Sequence, residues 1–143
     1  MTTVQQVFDM AIHLMDEQSE SNGKTQTTDT NEYRYRTVSI LNALLPQLYP
    51  YTDSVDRTGT GRPQIPVLQL PQDYAKPDLT QVVPVDDSFA LGVLPYGLAS
   101  HLLASENEEL SAWFHQRFMQ SFLELRDFMP AKFEPITAPY GLF

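Results

Sequence analysis

Cysteine is absent from the 143 residues. Disulfides, thiol nucleophiles, iron–sulfur clusters and cysteine-ligated zinc are thereby excluded together. The lack also fits synthesis in a reducing compartment. Cations are scarce: 9 Lys and Arg stand against 18 Asp and Glu, a formal net charge of −9. With no basic surplus, counterion release from phosphates has nothing to drive it, so nucleic acid is not an expected ligand. No secretion signal is expected either, because Met1-Thr-Thr-Val has neither a basic n-region nor an apolar run. The longest uncharged stretch, 88–105, is close to the length that spans a bilayer. It is broken by Gly92, Pro95 and Gly97, carries His101, and is flanked by Asp86, Asp87 and Glu106 with no cationic anchor. We therefore expect a buried helix and no membrane contact.

Chemistry-bearing patterns are also missing. His13, His101 and His115 are far apart, with none at metal-ligand spacing. Asp53, Asp56, Asp73, Asp78, Asp86 and Asp87 gather in and after the middle of the chain. Two of them could meet as a catalytic pair, but solvated turn and cap aspartates are the favoured reading. Asp53-Ser-Val-Asp56 lacks the alternating acids and closing Glu of a calcium loop. Gly59-Thr-Gly-Arg62 lacks the Lys-Ser/Thr step of a phosphate loop. Tyr33-Arg-Tyr-Arg36 interleaves rings and cations, which in an acidic chain reads as a helix start making salt bridges. The expectation is no catalytic residue, no cofactor and no metal.

What the sequence does hold is helical periodicity. Four helices are predicted, over 3–17, 30–49, 87–105 and 106–129, which makes the fold mainly α. The first stripe is Val4, Val7, Phe8, Ala11, Leu14 and Met15, opened by a Thr3–Gln6 capping box. The second is Val38, Leu41, Leu44, Leu45 and Leu48, with Asp29 or Thr30 as cap and Pro46 expected to end or kink it. In the third, Pro95 predicts a bend, and Ala90, Gly97 and Ala104 recur at sevens as a small-residue stripe. Such a stripe would let another subunit's helix approach closely. The fourth, capped by Ser105 with Glu108, carries Leu110, Trp113, Phe114, Phe118, Phe122, Leu125 and Met129.

Between these helices the chain turns irregular. The run 18–30 has no apolar residue and is expected to be an exposed linker or loop. The 50–85 segment is rich in Pro and Gly, with Val67-Leu-Gln-Leu70 as one short strand and Val82-Val83 as a second. A structureless segment of that length suggests contact with a neighbour. The tail, 131–143, joins Pro135 and Pro139 to Phe133, Ile136, Tyr140, Leu142 and Phe143. Apolar yet unable to be helical, it is expected to be an extended docking strand. The domain organisation is thus one helical domain, 1–130, with a long loop at 50–85, followed by the docking tail.

The run Val85-Asp-Asp-Ser-Phe-Ala-Leu-Gly-Val-Leu-Pro-Tyr-Gly-Leu-Ala-Ser-His-Leu-Leu-Ala, and its continuation from Glu106 to Arg126, together resemble a known pattern. They are similar to the small head–tail connector (adaptor, head completion) proteins of long-tailed double-stranded DNA bacteriophages, the Gram-positive-phage type. The matching features are the acidic start, Tyr96-Gly-Leu-Ala99, the acidic turn between helices, and Phe114-His-Gln-Arg-Phe118. Pro95 departs from that pattern, and 18–30 has no counterpart in it. The resemblance implies a helical subunit of a homo-oligomeric ring of about twelve copies in the virion neck. The ring would sit between the portal protein above and a stopper or tail completion protein below, with double-stranded DNA passing through unbound. Assembly would take place in the host cytoplasm. An acidic wall suits such a channel, since like charge keeps phosphates from sticking. Two other readings stand beside it: a small helical protein-binding module in the cytoplasm, and an enzyme using the middle-loop aspartates.

Overall fold

Thr3 opens the first helix as the capping box requires. Its hydroxyl accepts from the Gln6 amide at 3.3 Å, and the Gln6 side chain accepts from the Thr3 amide at 2.9 Å. In the computed structural model, which describes residues 1–51 and 66–128, α1 runs Val4–Met15 and α2 runs Asn31–Leu44. Two 3₁₀ turns follow, Leu45–Gln47 and Tyr49–Tyr51. Next come α3, Asp87–Gly92, α4, Leu94–Leu103, and α5, Glu108–Phe128. The fold is mainly α, as its periodicity predicts. α4 is the central element and packs on α5, α1 and α2.

Each boundary has a local cause. Asp16 takes the left-handed conformation, φ 60°, directly after α1. Its amide reaches His13 O and the Glu17 amide reaches Ile12 O, the paired bonds of a Schellman end. Pro46 stops α2 at Leu44, and the chain tightens into 3₁₀ turns because proline has no amide to donate. Pro95 does more than bend the predicted third helix. It breaks it, with Val93 at φ −123° separating α3 from α4 and Pro95 placed in the first turn of α4, where its missing amide costs nothing. The predicted Ser105 cap is corrected to Asn107, whose side-chain oxygen accepts from the Leu110 amide at 3.0 Å.

The core holds Val4, Val7, Phe8, Ala11 and Met15 of the predicted first stripe, with Ile12 in place of the half-exposed Leu14. Val38, Leu41, Leu44, Leu45 and Leu48 are buried as predicted, and Phe114, Phe118 and Phe122 face inward from α5. Trp113 does not; it is 51% exposed.

One segment corrects the sequence reading and another refines it. No strand occurs among the described residues beyond an isolated antiparallel bridge between Thr3 and Val82. The 66–84 segment is an irregular strap with turns at 74–75 and 79–80, whose backbone is held by carboxamides. Asn42 donates to Leu68 O at 2.9 Å and accepts from the Leu68 amide at 2.8 Å. Gln81 accepts from the Gln69 amide at 2.7 Å and donates to Gln69 O at 3.0 Å. Each side chain imitates one rung of a ladder, so the alternating pattern at 67–70 needs no partner strand. The polar 18–30 run is mostly exposed, as expected, and of the two readings it is the loop, with its end tied down. Thr30 is fully buried, and its hydroxyl donates to Thr25 O at 2.6 Å. Thr25 in turn donates to Asp9 at 2.6 Å, closing the loop onto α1. The residues 52–65, with Asp53, Asp56, Gly59 and Arg62, and the tail residues Phe133, Ile136, Tyr140, Leu142 and Phe143 lie outside the described residues.

Candidate interaction surface

Gly97 is where α4 comes closest to its neighbours. A Cβ there would lie 2.8 Å from Phe118 and 2.9 Å from Leu44, closer than real Cβ atoms come. A short way along, Ser100 and Ser111 exchange hydroxyl-to-carbonyl hydrogen bonds, at 3.0 Å and 2.8 Å, and staple α4 to α5. This corrects the small-residue stripe. Gly97 and the fully buried Ala90 are committed to the subunit's own core, whereas Ala104 is exposed. The close-packed helix that the stripe predicts is α5 of the same chain.

With its core filled from within, the molecule offers its unspent apolar groups on the outside. Val67, at 73% exposure, Leu70, Tyr74 and Val82 stand out along the strap, although Leu68, Leu79 and Val83 of the same segment are buried. The strap is therefore anchored by a few buried side chains while these four apolar groups, among exposed polar ones, stay in water. Its far end is fastened to the start of the chain. The Val4 and Gln5 amides donate to Gln81 O and Leu79 O, both at 2.9 Å, and the Val83 amide to Thr2 O at 2.8 Å. The buried Thr2 donates its hydroxyl to Asp87 at 2.7 Å, and that bond holds the Asp87 carboxyl below its ordinary range.

A second exposed feature sits at the turn joining α4 to α5. A cleft of about 410 Å³ is lined by Asn107, Glu109, Leu110 and Trp113. Trp113 stands edge-on to the buried Phe114, with ring centroids 5.0 Å apart. The same end of the bundle is acidic. The Tyr33 hydroxyl donates to Glu106 at 2.5 Å, and burial together with that bond pushes the phenol above its usual range. Glu17 is raised by partial burial first and then by the fields of Glu106, Asp16 and Asp29. The cations nearby are few. Arg36 lies 3.8 Å from Glu32 and donates to Leu102 O at 3.4 Å, so the predicted salt-bridging role at the start of α2 is present.

A third hollow, of about 490 Å³, runs between α3–α4 and the far half of α5, with Arg117 over the Tyr96 ring at 5.3 Å. Among the described residues no group of three or more His, Asp or Glu could hold a metal ion, and no helix is long and apolar enough to cross a membrane.

Sequence reasoning missed the anchoring roles of Asn42 and Gln81, which carry no motif. The exposure of Trp113 was readable. Leu110, Phe114, Phe118 and Phe122 recur at fours and already fill the inward stripe, which leaves residue 113 about 100° round the helix. No protein-family model, no curated protein and no solved structure matches the chain significantly.

Proposed function

We propose that the chain is a structural virion protein of the phage neck. In this reading it forms a ring below the portal that joins head to tail and lines the DNA exit channel. The observation that carries the reading is the strap. A lone subunit gains nothing from holding Val67, Leu70, Tyr74 and Val82 in water on a segment pinned by Asn42 and Gln81. A ring gives each subunit a neighbour to cover that surface. The two stretches that resemble connector proteins support it too, because they fold as one stapled hairpin of α4 and α5. The net charge of −9 suits a wall past which DNA slides.

The test is light scattering on the chain alone and mixed with the portal protein, followed by imaging of the mixture. The expected outcome is a ring of about twelve copies seated on the portal, with no binding of the isolated chain to duplex DNA at moderate salt. A chain that stays monomeric and ignores the portal removes the neck reading. It would leave the cytoplasmic binding module, which the exposed Trp113 cleft favours. No catalysis and no cofactor enter either reading.

A further inference from the structure

We infer that the Trp113 cleft is a docking site for a basic protein segment, one that sets an aliphatic side chain against the indole while its Lys or Arg groups meet the surrounding carboxylates. The inference goes beyond the ring reading, because it fixes the sign and chemistry of a partner that is not another copy of this chain.

Trp113 is the chain's only tryptophan and is half exposed, yet it is not loosely held. Its ring stands at 76° to Phe114, which is itself buried, so the core supports it from behind. A rigid aromatic over an open cleft is the kind of anchor that concentrates binding energy at interfaces. The cleft, about 410 Å³ and shallow, is of a size for one or two side chains.

Charge selects the occupant. Glu109 lines the cleft, Glu108 precedes it in the first turn of α5, and Glu106 lies in the turn before. Glu17, just after α1, is near enough to Glu106 to feel its field. In a two-fold contact a second copy would bring the same acids to the same place and be repelled, and a nucleic acid would be repelled for the same reason. A basic segment meets complementary potential, and its cations can also lie over the indole face.

Because Trp113 is the only indole, its fluorescence reads this site alone. The probe is a helical peptide with Leu on one face and Lys on the other, compared with a peptide of identical Leu face carrying Glu. The Lys peptide should shift Trp113 emission to the blue, saturably, and weaken at least about tenfold when salt rises from about 50 to about 500 mM. The Glu peptide should give no shift. The double variant Glu108→Gln/Glu109→Gln should weaken the Lys peptide about tenfold, converting about 1.4 kcal/mol of lost attraction. The double variant Glu124→Gln/Asp127→Asn, with the same charge change at the other end of α5, should leave it unaltered. Equal loss from both double variants would mean unspecific attraction to an acidic protein and would overturn the inference. An equal shift from the Glu peptide, or a blue shift on concentrating the protein with no peptide, would overturn it as well.

Discussion

The α4–α5 hairpin and the 66–84 strap are both ordered, but by different forces. The hairpin is held by shape: a glycine admits Phe118 and Leu44 to within 3 Å of where a Cβ would be, and two serines staple the helices beside it. The strap is held by address. Asn42 and Gln81 each grip one residue's amide and carbonyl, and only Leu68, Leu79 and Val83 are sunk into the core. Close packing cannot be loosened in one place without disturbing all that leans on it. The near end of the strap, gripped by Asn42 at Leu68, can be released by itself.

Replacing Gly97 by Leu is the strongest way to break the hairpin side of the contrast. The added side chain has nowhere to go, and a loss of about 3 kcal/mol is expected, at the upper end of overpacking costs. Denaturation followed by Trp113 fluorescence and by circular dichroism should shift together. Unchanged midpoints would mean that α4 and α5 are not close-packed at this point. Asn42→Ala attacks the strap and should cost less, about 1–2 kcal/mol for two lost hydrogen bonds whose groups can turn to water. Its signature is local: amide exchange at Leu68 and Gln69 accelerates while α4 and α5 stay protected. If the whole bundle loses protection in step, the strap belongs to the cooperative core and the contrast collapses.

Two smaller changes sharpen the picture at the acidic end. Asp16→Gly relieves a non-glycine residue at φ 60° and should stabilise by about 0.5 kcal/mol, measured as a higher urea midpoint. Glu17→Gln should have the least effect, a gain of under about 0.5 kcal/mol for a mostly exposed group. Its pH dependence carries the information. The Glu17 carboxyl is held above its ordinary 4.5, so the folded protein takes up its proton more readily than the unfolded chain. The penalty of ionised Glu17 is therefore full at neutral pH, shrinks as pH falls through the raised value, and vanishes below 4.5. The advantage of Glu17→Gln should follow the same course. An advantage that persists at pH 4 would assign it to packing instead of charge.

The hairpin and α1 were largely legible because hydrophobic period and proline act locally. Val38 to Leu48, Phe114 to Phe122 and the Thr3–Gln6 box are each read from neighbours within a turn or two. The strap was not, because Asn42 and Leu68 are far apart in sequence and a carboxamide that imitates a strand leaves no periodic trace. The tie at the end of the polar loop escaped for a related reason. Burial of Thr30 rests on hydroxyls satisfied by backbone, which composition scores as exposure. The stripe of Ala90 and Gly97 was correctly seen as a seam, but the sequence does not say whose helix fills it. The site suffers most, since the exposed tryptophan and its acids come from α5, the α4–α5 turn and the loop after α1.

The first turn of α1 depends on residues made much later. Val4 and Gln5 give their amides to the carbonyls of Gln81 and Leu79, so two donors of the first turn are satisfied only once the strap has been made. At about 5–20 residues per second, the ribosome needs roughly 4–15 s more to make residue 81 after residue 5, and longer still before it clears the exit tunnel. For that interval the Thr3–Gln6 box is the helix's local cap, and the Val7, Phe8 and Ile12 face lacks α4 to lie against. That window closes when the strap comes round and the Gln81 and Leu79 carbonyls reach the first turn.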